Sequence, residues 1–377
     1  MATETMAARA PVAQRWRIPF REAVVAYVVA RVLTLVVVII ADHFTHRGLV
    51  HALSIWDGDW FLRAIKYGYP HHLVRVHGAV VASPIAFFPL FPLLLRALAD
   101  VTRLSPAVVG LVVSAVSGLG AVLAVGHLTR RYASEDAARR AALLFALSPG
   151  GFVFSLIYNE GILITLIAVG IGALLSRRWL LAGVLGALAT ATAPVGVLFV
   201  LCCAWAAAVA VHRRREWRSL AAPLLAPVGL LAWFGYLWAH TGTPLAWQLT
   251  ERGGWHSYAS VAYPVRVLGK FLANPFSPTM TGQILVAGTL ASLVGLYFVY
   301  RERPPTLIVL YATSAVALFA ISAPVGLRPR FIMLAFPLVT AAGTRLRGRP
   351  FRVAVAVSAL LLVLMSVETL FSWAVFP

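Results

Sequence analysis

Long uninterrupted runs of apolar residues dominate this 377-residue sequence. A helix needs about 20 consecutive apolar residues to cross about 30 Å of hydrocarbon, and many of the runs approach that length. They do not form the amphipathic stripes of helices that pack on a soluble core. Only 12% of the residues are charged, against about 25% in ordinary soluble domains. The sequence therefore predicts an all-α, polytopic membrane protein whose 377 residues form a single domain.

The apolar runs predict about eleven transmembrane spans. Their approximate positions are residues 20–42, 106–128, 139–156, 158–176, 178–192, 194–211, 219–240, 282–300, 305–322, 330–346 and 352–374. Several runs are shorter than a full span, so their boundaries stay open. The pair between 178 and 211, broken around Pro194, could form half-spans or a tilted hairpin.

Arginine clusters between the runs predict the orientation, because short cytoplasmic loops collect Lys and Arg. With the N-terminus inside and alternate loops cytoplasmic, 20 of the 32 basic residues lie on the cytoplasmic side. The net charge of +19 is then a topology signal, and we do not expect nucleic-acid binding. Counting residues 84–100 as a span would reverse the later clusters, so we expect this proline-interrupted segment to lie along the outer interface.

Two long loops then face outward, at residues 43–105 and 241–281. The segment SIWDGDWFLRAIKYGYP at 54–70 places Asp57 and Asp59 between Trp56 and Trp60. Tryptophans anchor at the level of lipid headgroups, where a lipid-linked substrate would present its reacting group. A carboxylate there can act as a general base, and we rank Asp57 first with Asp59 as its helper. The alternative is an aromatic belt with solvated acids.

Further polar candidates lie at other predicted outward turns. Arg328 and Arg330 oppose the charge bias of their short loop, and a guanidinium can hold a phosphate bidentately. Glu160, two residues after Tyr158, could bind a sugar or orient an arginine. The alternatives are interfacial snorkelling for the arginines and a solvated loop-tip carboxylate for Glu160.

Histidines are frequent in the first outward loop, but none has a recognised metal-ligand spacing. We therefore expect no metal and no cofactor. In the second loop, Glu251, Trp255 and His256 could line an acceptor site, although interfacial anchoring explains the aromatic residues nearly as well.

Five segments, in order along most of the chain, carry a resemblance to a known family. They read WDGDWFLRAIKYGYP, FFPLFPLLLR, SPGGFVFSLIYNEGILITL, ATAPVG and RPRFIMLAFPL. Together they resemble the PIG-V-like mannosyltransferases, which belong to the GT-C class of glycosyltransferases. One position departs from the family pattern: Ala193 stands where relatives commonly have arginine. The predominance of arginine over lysine, which occurs only at Lys66 and Lys270, is typical of GC-rich bacterial genomes and suggests an actinobacterial source.

The resemblance implies an inverting, metal-independent transferase that takes mannose from a polyprenyl-phosphate donor. We expect the protein in the plasma membrane. Asp57 matches the catalytic aspartate, Glu160 matches a family acid, and the segment 84–100 packs over the active site. Trp56, Trp60, Tyr158, Glu160, Arg328, Arg330 and His256 are the expected substrate-binding residues. The acceptor would be a lipid or a glycan. A carrier or flippase for lipid-linked sugars and a non-catalytic scaffold remain as alternatives.

Overall fold

The computed structural model describes residues 20–46, 48–275 and 280–371, and these are predominantly helical. The α-helices of these residues are α1 (Arg21–Thr45), α2 (Leu49–Leu53), α3 (Asp57–Tyr67), α4 (Leu90–Thr102), α5 (Pro106–Arg130), α6 (Glu135–Ala146), α7 (Glu160–Leu175), α8 (Trp179–Thr192), α9 (Val197–Arg214), α10 (Ala221–Leu225), α11 (Val228–Thr241), α12 (Ala246–Gly254), α13 (Tyr263–Ala273), α14 (Met280–Glu302), α15 (Thr306–Ile321), α16 (Pro329–Leu334), α17 (Pro337–Arg345) and α18 (Gly348–Phe371). The described residues are mostly α-helical, as the sequence predicts, with four short strands in addition.

Short 3-10 helices and strands connect these helices. The 3-10 helices are Pro84–Ala86, Pro149–Ser155, Pro194–Gly196 and Trp217–Leu220, and the strands are β1 (Arg75–Val76), β2 (Ala79–Val80), β3 (Tyr258–Ala259) and β4 (Ser322–Ala323). β1 pairs with β2 as an antiparallel hairpin. β3 pairs antiparallel with β4, with Tyr258 opposite Ala323. This second pairing ties the predicted second loop to the segment that precedes α16.

Six helical stretches among the described residues are long and apolar enough to cross a membrane. They are Arg21–Phe44, Pro106–Arg130, Pro194–Arg214, Trp217–Thr241, Met280–Glu302 and Gly348–Phe371. A seventh candidate joins Pro149–Ser155 to Glu160–Leu175 through a 115° bend. The count of about eleven spans and the orientation of the N-terminus stay predictions.

Prolines and glycines divide some of the apolar runs. The run at 139–156 is the end of α6 followed by the 3-10 helix Pro149–Ser155, and the run at 330–346 is divided between α16 and α17. Pro149 and Pro337 each occupy a first helical position, where proline's fixed φ suits a helix start and its missing N–H prevents continuation from the preceding helix.

Small residues allow the helices around the site to pack closely. A Cβ on Gly161, at the start of α7, would lie 2.5 Å from Ser117 Oγ and 2.6 Å from the backbone nitrogen of Gly118 on α5. Small residues at such crossings let helix backbones approach each other within membranes. The close crossing of α5 and α7 fixes the position at which Glu160 enters the protein.

The segment 84–100 folds as the 3-10 helix Pro84–Ala86 and the 13-residue α4, which is shorter than a span. Phe91 and Leu95 are fully buried on one face of α4, whereas Leu93 is exposed. Phe91 packs edge-on against Phe61 of α3 with ring centroids 4.8 Å apart. α4 therefore covers α3, the helix that begins at Asp57.

Candidate functional site

Asp57 is the first residue of α3, and the preceding segment is held against the centre of the protein. The backbone nitrogen of Ile157 donates to the carbonyl of Leu53 at 3.3 Å. A Cβ on Gly58 would lie 3.2 Å from Ile157 Cβ, so the glycine permits the first turn of α3 to rest on this residue. Trp56, with φ of 60°, makes the sharp turn that starts the helix.

Tyr158 and Glu160 belong to a segment with fixed backbone bonds on both sides. Ser114 Oγ on α5 donates to the carbonyl of Tyr158 and accepts from its backbone nitrogen, both at 3.0 Å. Asn159 Nδ2 donates to the carbonyl of Thr192 at 2.8 Å. Thr192 directly precedes Ala193, and Asn159 directly precedes Glu160. The position that departs from the family pattern therefore lies close to the segment that carries Glu160.

Arg330 enters from α16, which packs closely on the 3-10 helix Pro149–Ser155. A Cβ on Gly150 would lie 2.9 Å from Arg330 Cα and closer still to the Pro329 carbonyl. Only glycine leaves room for this contact, because real Cβ atoms do not approach other atoms so closely. The glycine thus sets how deeply the backbone of Arg330 lies in the protein.

These elements bring three charged side chains into one buried group, which we call the carboxylate–arginine cluster: Asp57, Glu160 and Arg330. Arg330 Nη2 donates to Asp57 Oδ2 at 2.5 Å, and Arg330 Nε donates to Glu160 Oε1. The side chains of Asp57, Glu160 and Arg330 are only 24%, 2% and 13% exposed. The guanidinium carbon also lies 4.6 Å from the ring centroid of Tyr158. One cation therefore bridges two carboxylates in a largely dry site.

The electrostatics of the arginines follow from this geometry. Burial opposes the charge of Arg330, but Asp57 and Glu160 outweigh it and raise the pKa of Arg330 above its ordinary value. Burial lowers the pKa of Arg328, and the nearby charge of Arg330 adds to that effect. Arg328 Nη2 donates to the carbonyl of Pro324 at 3.3 Å. Both guanidinium groups stay charged at neutral pH because an arginine pKa is so high.

Two buried polar atoms at the cluster lack a well-aligned hydrogen bond within the described part of the chain: Glu160 Oε2, and Tyr158 Oη, which the backbone of Asp57 approaches. Burying such atoms without a partner is unfavourable by about 1–3 kcal/mol each. Unsatisfied buried groups of this kind are expected where a ligand supplies the missing bonds.

The other predicted site residues do not all join the cluster. Asp59 pairs with Arg63 at 2.8 Å, and both side chains are 52% exposed. Trp60 lies in an aromatic group with Phe87 and Trp255. His256 is exposed and makes no ion pair with the cluster among the residues the structure covers. Trp56 is half-buried directly before Asp57.

Sequence reasoning assigned no site role to Arg31, which the structure places behind the cluster. Arg31 Nη1 donates to the Gly151 carbonyl, and its guanidinium carbon lies 4.8 Å from the Tyr27 ring centroid. The only signal in the sequence was an arginine inside an apolar span, which is unfavourable unless the residue is paired or functional.

Within residues 20–46, 48–275 and 280–371, no group of three or more His, Cys, Asp or Glu side chains is placed to hold a metal ion.

Two solved membrane proteins share this fold. The crystal structure of ArnT from Cupriavidus metallidurans bound to undecaprenyl phosphate matches with a TM-score of 0.54 and 17% identity, over 91% of this chain and 62% of that one. The crystal structure of the Archaeoglobus fulgidus oligosaccharyltransferase in the apo form matches with a TM-score of 0.54 and 13% identity, over 94% of this chain and 56% of that one. The chain therefore has the GT-C fold of these two proteins, and it spans less than two thirds of their length. Its long apolar helices make it an integral membrane protein.

A family model described as Mannosyltransferase (PIG-V) matches residues 21–219, which is more than half of the chain. The chain belongs to this family of glycosyltransferases. The match contains Asp57 and Glu160 and ends before Arg330. The comparison with curated protein sequences gives no match.

Proposed function

We propose that this protein transfers mannose, with inversion, from a polyprenyl-phosphate carrier to a hydroxyl of a lipid or glycan at the outer face of the plasma membrane. The observation that carries the proposal is the carboxylate–arginine cluster. It places Asp57, from the tryptophan-flanked segment, against a buried cation in a member of a mannosyltransferase family. Two unsatisfied buried oxygens beside it can accept or donate hydrogen bonds to a sugar.

Charge determines how the donor phosphate would be held. With both carboxylates ionised, the cluster carries two negative charges and one positive charge, so Arg330 alone does not make the site attractive to an anion. Arg328, two residues before it and buried, supplies the additional positive charge. Two of the five N–H donors of Arg330 go to the carboxylates, and the remaining donors can reach a phosphate.

The choice of a lipid-phosphate donor has support from the fold comparison. ArnT from Cupriavidus metallidurans has this fold and was crystallised with undecaprenyl phosphate. A membrane-confined lipid tail would raise the local concentration of the donor and orient its phosphate.

The proposed step is a single displacement at the anomeric carbon. The ionised Asp57 carboxylate takes the proton of the acceptor hydroxyl, while that oxygen forms a bond to the anomeric carbon. The bond from this carbon to the donor phosphate oxygen breaks, and polyprenyl phosphate leaves with the bonding electrons. Arg328 and Arg330 stabilise the growing charge on the phosphate. One displacement inverts the configuration, and Asp57 ends the step protonated.

The test is mannosyl transfer by membranes that contain wild-type protein or Asp57→Asn, with labelled polyprenyl-phosphate mannose as donor. Asparagine keeps the shape but removes the base, so we expect the rate to fall about 10²–10⁴-fold. Asp100→Asn, an identical change at an exposed position of α4, serves as the control and should retain activity. Unchanged turnover in Asp57→Asn would refute the base assignment, and retained transport of the labelled lipid without any transfer would favour a carrier.

A further inference from the structure

α12 and β3 contact elements that lead to Asp57 on one side and to Arg330 on the other. At one end, Trp255 directly after α12 contacts Trp60 of α3 with ring centroids 5.4 Å apart. At the other, β3 pairs with β4, and the backbone nitrogen of Ser260 donates to the Ile321 carbonyl at 2.7 Å. β4 leads directly to Arg328 and α16. The second loop is therefore attached both to α3, which begins at Asp57, and to the segment that carries Arg330.

An aromatic and acidic surface lies at this junction. Trp60 stacks on Phe87 with ring centroids 6.1 Å apart, and Trp255 contacts Phe87 at 5.7 Å. Glu251 lies one turn before Trp255 on α12, just as Asp57 lies about one turn before Trp60 on α3. All four residues of what we call the acceptor surface, Trp60, Phe87, Glu251 and Trp255, are only half-buried. Part of each side chain is therefore exposed. Arg63 also lies over the Trp60 ring, with its guanidinium carbon 4.9 Å from the ring centroid.

Close backbone contacts fix the position of this surface. A Cβ on Gly254 would lie 2.5 Å from Ala82 Cα, and Trp247 Nε1 donates to the Ala86 carbonyl at 3.2 Å. The carbonyl of Glu251 accepts from the backbone nitrogens of Trp255 and Ser257, both at 3.1 Å. α12 is thus held to the chain just before the 3-10 helix Pro84–Ala86 and at its last residue, so the Glu251 carboxyl is presented from a fixed backbone.

We propose that the acceptor surface binds a carbohydrate acceptor, with Trp60 and Trp255 against the apolar face of a sugar ring and Glu251 accepting hydrogen bonds from its hydroxyls. Sugar rings present C–H faces and hydroxyl edges, and binding sites for such molecules combine aromatic walls with a few placed polar groups. The position beside Asp57 would direct one further hydroxyl of the sugar toward the base. This inference rests on the proposed glycosyl transfer and selects a glycan over a simple lipid alcohol as the acceptor.

The charge environment of Glu251 fits a role in binding hydroxyls near neutral pH. Burial, and then the charge of Asp57, raise the pKa of Glu251 to about 7. α12 also packs on β2, the 3-10 helix Pro84–Ala86 and α11. The first two carry no charged residue, and His240 of α11 contacts the Tyr69 carbonyl at 3.1 Å. Asp57 is therefore the charged group that acts on Glu251 most directly, and Arg252 is its exposed neighbour on α12.

The test compares two acceptor probes that share an octyl chain: octyl mannopyranoside and octylglycerol. Purified protein in lipid nanodiscs receives polyprenyl-phosphate mannose, and KM is measured for each probe. We expect Glu251→Gln and Trp255→Ala to raise KM for octyl mannopyranoside about tenfold or more, with KM for octylglycerol and for the donor unchanged. Glu302→Gln, at the far end of α14, is the matched control.

The wild-type KM for the mannopyranoside should fall as the pH rises from about 6 to about 8, and Glu251→Gln should lose that dependence.

A binding measurement separates this inference from the proposed function. Saturation-transfer NMR follows methyl mannopyranoside on wild-type protein and on Asp57→Asn, Glu251→Gln and Trp255→Ala. Binding that requires Glu251 and Trp255 but persists in Asp57→Asn supports the acceptor surface even if no mannose is transferred. Transfer with unchanged mannopyranoside KM in Glu251→Gln and Trp255→Ala overturns the inference and leaves the proposed function standing. Absence of both sugar binding and transfer overturns both.

Discussion

Replacing Arg330 with methionine should be among the most destabilising single changes in this protein. The methionine keeps much of the side-chain volume but leaves Asp57 and Glu160, whose side chains are 24% and 2% exposed, without their shared cation. A pair of unit charges about 4 Å apart gains about 4 kcal/mol at an effective dielectric constant of about 20. Removing one member of a buried ion pair destabilises by about 3–5 kcal/mol. We therefore expect the free energy of unfolding to fall by about 4 kcal/mol.

The assay is equilibrium unfolding in mixed micelles, with the free energy of unfolding measured for each variant. Arg330→Met combined with Glu160→Gln should recover part of the loss, because one of the two uncompensated carboxylates is then neutral. The double-mutant cycle should give an interaction energy of at least about 1 kcal/mol. Arg63→Met is the matched control. Its partner Asp59 lies 2.8 Å away, but both side chains are 52% exposed, so the expected loss is below about 1 kcal/mol.

Two results would refute the reasoning. One is an Arg330→Met protein within about 1 kcal/mol of wild type. That result would mean that another cation, or protonation of the buried Glu160, relieves the uncompensated charge. The other is a double variant no more stable than Arg330→Met alone, which would mean that Glu160 is not electrostatically coupled to Arg330.

Three further predictions follow from single contacts. Asp59→Asn should change the rate of mannosyl transfer less than about threefold in the membrane assay, because the exposed ion pair of Asp59 with Arg63 contributes under about 1 kcal/mol. A loss as large as that of Asp57→Asn would mean that Asp59 also acts in the active site. Gly150→Ala should reduce transfer sharply, because the new Cβ would lie 2.9 Å from Arg330 Cα, whereas Gly235→Ala, with open space around its Cβ, should not. The folded-state pKa of Glu251 is raised to about 7, above its unfolded value of about 4.3. The free energy of unfolding of the wild type should therefore fall as the pH rises between these values. Glu251→Gln should remove that part of the pH dependence.

Run length and charge made the long helices predictable from sequence. The runs at 20–42, 106–128 and 282–300 correspond to α1, α5 and α14, because a helix that faces lipid needs only length and apolar side chains. The run at 139–156 is apolar enough to resemble a span but contains Pro149, Gly150 and Gly151. The chain bends by 115° between Pro149–Ser155 and α7, and the 3-10 helix packs on α16, which is distant in sequence. Hydropathy averaged along the chain does not register such contacts.

The members of the cluster were predictable individually, but their pairing was not. Asp57, Glu160 and Arg330 were each candidates for the site because charged residues at the ends of apolar runs usually have a structural or functional role. Their ion pairs join residues up to 273 positions apart, which no local pattern encodes. Asp59 shows where local geometry was informative. On a helix that begins at Asp57, residues two positions apart point to different sides, so only one of the two aspartates can face Arg330.

Arg31 stabilises the backbone on which the carboxylate–arginine cluster rests, in addition to the ion pairs within the cluster. The Arg31 guanidinium binds the Gly151 carbonyl, and the adjacent Gly150 contacts the backbone of Pro329 and Arg330. Tyr27, whose ring lies beside Arg31, donates its hydroxyl to the Ala115 carbonyl on α5 at 2.6 Å. A charge buried in the first span thus fixes the 3-10 helix against which Arg330 rests. We expect that position to tolerate lysine poorly, because an ammonium group lacks the planar fork that binds the carbonyl while stacking on a ring.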